Sequence, residues 1–335
     1  MSQSALYLGS RCPPNMEAYL DSLLYRTAAN DTFELLVVSD CDLPTWLGNA
    51  TRLTVERYKA PTASGTGLVR TTAEVVRRHL RSHEPVEIRQ ITQPRWHAPG
   101  VLLGAAGSDV DVCTRASDSL FGEYRQAPSP ARAWLANNVL GQSIYLSDRV
   151  FTPKYGGVTL PWWTRASLVV EERTVNEERT VNEERFTPEA KPCEGLFDGE
   201  KNRVLTVGRV SRRKGIDLLL AVARRLDDYE FTVVGPADEE TLVAEMDAAS
   251  NVHHHPPVEY VEMPGLYTAS DLVLSVSRLE WGGVSRAMLE GKAAGRPVVA
   301  LDRESASNVA DIVAPAEPPA IADAVRSQLD PEGYR

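Results

Sequence analysis

An α/β protein of two domains, each a parallel sheet covered by helices, is the fold this chain predicts, on three observations. At 335 residues it is too long for one ordinary compact unit and suits two domains of roughly 150 residues each. Short apolar runs rich in Val, Leu and Thr alternate with longer segments of helical spacing, the order that builds parallel sheets. The alternation is clearest from Val204 to Leu301, where LTVGRVSRRKGIDLLLAVARRL leads through FTVVGPADEE and ASDLVLSVSRLEWGG to SRAMLEGKAAGRPVVAL. Glycines, basic residues and a glutamate fall there at strand ends, where open α/β sheets bind ligands.

The elements of the first half follow in order. Ala5–Gly9 predicts a first strand, ended by RCPPN, and Met16–Ala29 a helix with Leu20, Leu23 and Leu24 as its apolar stripe. Phe33–Ser39 is a second strand, and Thr71–Ser82 a helix with a basic face of Arg77, Arg78 and Arg81. That face is expected to be solvated, with anionic lipid contact as the rival use. Val86–Ile91 and Val110–Thr114 are further strands around a helix candidate at Val101–Ala106. Tyr145–Thr152 reads as a strand, and Trp162 and Trp163 as a packed aromatic pair. Over 171–186 the run EERTVN occurs twice and returns as EERF. Its period of six fits neither helix nor strand, so a charged surface linker is expected. Pro188–Asp198 is punctuated by Pro and Gly, which predicts domains at residues 1–188 and 189–335.

The bulk numbers exclude several classes. With 43% apolar and 24% charged residues, and no apolar run long enough to span a bilayer, the chain reads as soluble and globular. The opening MSQSALYLGSRCPP lacks the basic start and long apolar core of a signal peptide. A cytoplasmic protein is expected, with peripheral contact at the membrane's cytoplasmic face left open. Cys12, Cys41, Cys113 and Cys193 lie far apart without a CxxC pair and read as free thiols. A net charge of −10 argues against a nucleic-acid partner, which needs a basic footprint. The oligomeric state leaves no signal here.

Several side chains are candidates for chemistry. Asp40/Asp42 and Asp109/Asp111 form Asp-x-Asp pairs, which can hold a divalent metal, but turn chemistry at strand ends is the preferred reading. His97, in QPRWHAPG, reads as a loop histidine, a surface group or a general base. Arg115 ends a strand and is expected to point into an interdomain cleft, with Asp118 just beyond. His253–His255 alternate faces if they lie on a strand, so the three cannot converge on one ion.

In VGRVSRRKG, Gly208 permits a tight turn and close ligand approach, and Arg209 and Lys214 bring two cations to the same strand end. A helix N-terminus there already favours anions, so the set suits a diphosphate. The blocks VGRVSRRKGIDLLL, TVVG, ASDLVLSVSRLE and MLEGKAAGRPVVA, in that order, resemble the large group 1 family of retaining glycosyltransferases. The resemblance continues into Pro315–Val325 and is faint in the first half. It implies the GT-B fold, two Rossmann-like domains with parallel sheets facing a central cleft. It also implies a nucleotide-sugar donor, a glycan or lipid-linked acceptor and no cofactor or essential metal.

By that resemblance Arg209 and Lys214 grip the donor's diphosphate, and Glu290 binds the ribose hydroxyls. Glu280 contacts the sugar, while Gly282, Gly283 and Val284 lay backbone N–H groups along sugar and phosphates. Arg115 and Asp118 match an acceptor-side pair found in part of the family, with His97 as a further acceptor-side candidate. Two departures stand out: nine residues lie between Glu280 and Glu290 where the family has seven, and RCPPN replaces a Gly-rich loop. Two rivals therefore accompany the transferase reading, an inactive nucleotide-sugar-binding or partner module and a GT-B sugar-nucleotide epimerase. A dehydrogenase is disfavoured, since no GxGxxG follows a strand.

Overall fold

The computed structural model of the protein describes residues 3–9, 12, 14–27, 29–60, 66–92, 94–116, 141–153, 160, 162–164, 166–171, 181–197, 202–278, 284–303 and 305–330. The chain divides into two compact units, Met1–Glu172 and Arg173–Arg335.

The first unit carries strands β1 (Gln3–Gly9), β2 (Thr32–Val38), β3 (Leu53–Tyr58), β4 (Glu87–Gln90), β5 (Asp111–Arg115), β6 (Arg149–Pro153) and β7 (Ser167–Glu171). They form one parallel sheet in the order β3-β2-β1-β4-β5-β6-β7. Its helices are α1 (Pro14–Arg26), α2 (Thr45–Gly48), α3 (Thr66–His79) and α4 (Pro94–Ala105). Ala5–Leu8 and Leu35–Val38 are buried without alternation, as strands covered on both faces require. Helix α4 lies unusually close to α3 for a local reason. A Cβ on Gly100 would sit 2.4 Å from Thr72 Cβ, and one on Gly104 2.6 Å from Val76 Cβ. Glycines spaced by one helical turn thus let the two backbones meet.

The second unit repeats the plan with β8 (Asn202–Val207), β9 (Tyr229–Val234), β10 (Val252–His255), β11 (Leu272–Ser275), β12 (Val298–Leu301) and β13 (Ile312–Ala314). Their parallel order is β10-β9-β8-β11-β12-β13. Around them run α5 (Ile216–Ala223), α6 (Glu240–Asp247), α7 (Met263–Ala269), α8 (Arg286–Ala293) and α9 (Pro318–Leu329). Leu218, Leu219, Val222, Phe231, Val233, Leu274, Val299 and Val325 belong to one buried core. In both sheets the strand order reverses beside the first strand, the switch point at which doubly wound folds hold ligands.

Several expectations are corrected. The predicted strand Tyr145–Thr152 is a 3-10 turn over Gly141–Leu146 followed by β6; Ile144 and Tyr145 bury against Ala98, Ala116 and Val150 instead of pairing in the sheet. Strands β3 and β7 were not anticipated. Trp162 and Trp163 are no packed pair: Trp162 is 96% exposed, and Trp163 meets the Tyr145 ring edge-on while half exposed. The end of the six-residue repeat is not mere surface, because Val181 and Phe186 are buried and the Phe186 ring packs on Tyr260 and Tyr267. Phe186 and its partners Tyr260 and Tyr267 belong to the second compact unit, Arg173–Arg335. On α3, Arg77 and Arg78 donate to the carbonyls of Leu103 and Lys59, so two guanidiniums of the basic face serve the fold. Among the described residues, no helix is long and apolar enough to cross a membrane.

Candidate functional site

A pocket opens at the carboxyl end of the second sheet, between β8 and β11. Thr206, Gly208, Arg209 and Lys214 form one side of it, and Ser275, Ser277 and Ser285 the other. The strand ends are joined by Thr206 Oγ1, which donates to the Leu274 carbonyl at 2.8 Å. After β8 the chain stays tethered to the sheet, since Gly208 N–H donates to Val234 and Val210 N–H to Pro236, both at 2.9 Å. The Ser211 side chain then caps a single 3-10 turn, Arg212–Lys214, by accepting from Lys214 N–H. Gly215 closes the turn at φ +77°, and a Cβ there would lie 2.0 Å from the Val276 carbonyl oxygen. Only glycine satisfies both conditions.

The electrostatics suit an anion. Helix α5 begins at Ile216 and α8 at Arg286, and Ile216, Ser285 and Ala287 all line the pocket. Two helix N-termini, whose positive dipole ends favour anions, therefore meet at one place. The Lys214 stem passes over Gly208, its Cδ 4.0 Å from where a Cβ would stand. Arg209 Nη1 meets both oxygens of Asp238 at 3.1 Å, in a pair whose side chains are 55% and 38% exposed. Water and a ligand can both compete for such a pair.

Of the other candidates on this unit, Val284 is buried at 4% exposure beside the pocket-lining Ser285. Glu290, on α8, is 3% exposed and is not among the residues lining the pocket; its Oε2 accepts the Tyr267 hydroxyl at 2.7 Å. Glu280, Gly282 and Gly283 lie outside the described residues. The three histidines of β10 turn to different partners: His253 Nε2 lies 3.8 Å from Glu230, while His254 and His255 reach the carbonyls of Gly235 and Pro256. Among the described residues no three His, Cys, Asp or Glu side chains are grouped to hold a metal ion, and all four cysteines are free.

In the first unit, two candidates take unexpected positions. His97 is no loop histidine: it sits on α4 and is 2% exposed. Thr72 Oγ1 donates to the Tyr7 hydroxyl at 3.1 Å. His97 Nδ1 lies 2.9 Å from Thr72 Oγ1, in a hydrogen bond whose donor follows from the imidazole tautomer. Burial lowers the imidazole pKa from 6.5 to about 4. Arg115 ends β5 as expected, but it is 9% exposed and its guanidinium stacks 4.3 Å over the Tyr19 ring. Its backbone N–H donates to Gln90. Asp118 lies outside the described residues. Asp111 of the second Asp-x-Asp pair is bound to Arg149 at 3.2 Å.

Sequence reasoning missed Gly215, Asp238 and Tyr267. The first was legible, because glycine directly after a basic turn and before a helix marks a left-handed cap. Tyr267 carried no signal, for a tyrosine in an apolar helix stripe reads as core.

Residues 201–330 match the family of glycosyl transferases group 1. A D-inositol 3-phosphate glycosyltransferase from Arthrobacter sp. (strain FB24) is 33% identical over 127 residues, 34% of this chain. That match spans 30% of the relative's length. Among solved structures, sucrose-phosphate synthase from Thermosynechococcus elongatus is similar over 100% of this chain and 92% of its own, with a TM-score of 0.69 at 16% identity. Anabaena HepE, solved in complex with UDP and glucose, is similar over 100% and 91%, with a TM-score of 0.68 at 17% identity. The fold of the chain is GT-B, with two Rossmann-like domains.

Proposed function

We propose, from the match of residues 201–330 to the group 1 glycosyltransferases, that the protein moves a sugar from a nucleotide-sugar donor to an acceptor hydroxyl. The observation that carries the reading is the pocket at the β8/β11 switch point, where Gly208, Arg209 and Lys214 meet the starts of α5 and α8. Such a set is suited to a diphosphate. Arg209 turns from Asp238 to the diphosphate when donor binds, and Lys214 reaches the same charge over Gly208. As the bond between sugar and diphosphate breaks, negative charge grows on the leaving group, and the two cations with the helix N-termini lower its energy. Holding donor and acceptor together supplies the rest.

Glu290 takes the ribose hydroxyls, as its two oxygens suit a vicinal diol, with its carboxylate oriented by Tyr267. Glu280 contacts the sugar, with Gly282, Gly283 and Val284 along sugar and phosphates. Arg115, Asp118 and His97 are the acceptor-side set, and an imidazole kept neutral by burial can serve as a proton acceptor. Transfer proceeds with retention of the anomeric configuration and without an essential metal. The acceptor is a glycan or lipid-linked saccharide, and the protein works in the cytoplasm.

The test is release of nucleoside diphosphate from UDP-, GDP- and ADP-sugars with oligosaccharide and lipid-linked acceptors. Turnover of one donor with one acceptor supports the reading. Donor binding without turnover across the panel selects the inactive module, and interconversion of the donor sugar without acceptor selects the epimerase.

A further inference from the structure

Lys214 sits on a turn of three residues, and a lone 3-10 turn on a sheet edge has little stiffness of its own. Its surroundings supply the missing rigidity through one side chain that no motif assigns. Arg278 directly follows Ser277 of the opposite pocket wall. Its backbone N–H donates to the Arg213 carbonyl at 3.1 Å. Its Nη1 donates to the Arg212 carbonyl at 2.6 Å and to Asp217 Oδ1 at 2.6 Å, and its Nη2 to Asp217 Oδ2 at 3.0 Å. Asp217 belongs to the first turn of α5. One guanidinium therefore joins three pieces: the β11 end, the Lys214 turn and the start of α5. A planar fork can bind a carboxylate with two nitrogens and still turn a hydrogen to a carbonyl, which an ammonium on a flexible stem cannot match.

We infer that Arg278 is a positioning residue, a strap that holds the Lys214 turn against the Ser277 wall so that the Lys214 ammonium meets the diphosphate. The inference rests on the donor-site reading above. Arg278 itself touches no phosphate: its charge is spent on Asp217, and its action passes through Lys214. The Asp217 carboxyl bears the mark of the contact. Burial pushes its pKa up, but the hydrogen bonds and charge of Arg278 outweigh this and hold it below the usual value of 3.8. The carboxylate thus stays ionised over the whole neutral range.

The experiment is calorimetric titration of the full chain with UDP, GDP and ADP, followed by the best binder against Arg278→Met, Arg278→Lys, Asp217→Asn and the double variant R278M/D217N. Thermal unfolding of each variant confirms that it is folded. Arg278→Met and Asp217→Asn are each expected to weaken the Kd about tenfold, the scale of a partly exposed charge-assisted pair. The double variant is expected to be no weaker than either single one, because both remove the same strap. Arg278→Lys recovers less than half of the loss. Lys214→Ala weakens binding in the natural chain, yet changes it by less than about twofold in the Arg278→Met background, where the ammonium is already misplaced. A merely structural role predicts instead a lower melting temperature with the Kd of the folded protein unchanged. That result, or fully additive losses for Arg278 and Lys214, overturns the strap alone. If the natural chain binds none of the three nucleotides, the donor-site reading falls and the strap with it.

Discussion

Replacing Tyr267 by Phe removes one oxygen atom and tests how the buried carboxylate of Glu290 is held. Tyr267 is fully buried, Glu290 is 3% exposed, and their oxygens are 2.7 Å apart. Burial and the nearby Glu290 charge raise the phenol well above its usual pKa of 10.0, so it remains a donor at every working pH. Phenylalanine keeps the ring and its packing against Phe186, so little cavity term arises. What is lost is a hydrogen bond to a carboxylate in a site with almost no water, about 1–3 kcal/mol. We expect a fall of that size in urea-derived unfolding free energy. Because Glu290 is assigned to the ribose, the Kd for the preferred nucleoside diphosphate should also weaken, by about fivefold if some 1 kcal/mol of orientation is lost. Free inorganic pyrophosphate, which has no ribose, should bind the variant and the natural chain alike. A stability change under about 0.5 kcal/mol together with unchanged nucleotide affinity would refute the role given to this pair.

Three further outcomes follow from the same structure. Gly215→Ala should destabilise the second unit by more than about 3 kcal/mol, through the left-handed φ and a 2.0 Å clash with the Val276 carbonyl; near-natural unfolding of that variant would contradict the turn geometry. Asp238→Asn should tighten nucleoside diphosphate binding by up to about fivefold, since it frees Arg209 from a half-exposed pair worth about 1 kcal/mol at most; weaker binding would show that the pair positions Arg209 rather than competes for it. For His97, the folded pKa of about 4 lies below the 6.5 of the exposed group, so the folded state binds fewer protons between those values. Stability is full above about pH 6.5, falls as pH drops towards 4 by up to about 3 kcal/mol, and then levels. His97→Asn should flatten that segment of a urea-midpoint profile, and an unaltered slope would place the titration elsewhere.

The second unit was legible in the sequence because its site is built from neighbours in the chain. Gly208, Arg209 and Lys214 follow one strand within a few residues, and strand, turn and helix signals agree there. The first unit was harder to read for identifiable reasons. Strand β3, LTVERY, is an edge strand of the sheet, so exposed and half-buried positions dominate it and no apolar run announces it. The loop reading of His97 fails because QPRWHAPG carries two prolines and still forms a helix. Pro94 occupies the first helical position, where a missing N–H costs nothing, and α4 tolerates Pro99 inside it. Phe186 is hidden by its repeat: EER occurs three times and is followed by Thr in the first two copies and by Phe in the third, and that Phe is a core residue. Contacts between distant positions, such as Tyr267 with Glu290 or Arg209 with Asp238, have no sequence spacing to betray them.

The central claim is that Lys214 and Arg209 hold the diphosphate of a nucleotide-sugar donor. It is tested most directly by isothermal titration of the natural chain and of Lys214→Ala with UDP, GDP and ADP at low salt. The account predicts saturable binding of at least one of the three, weakened about tenfold or more in Lys214→Ala, as loss of a charge-assisted contact requires. Equal affinity of the two proteins for every nucleotide would contradict it.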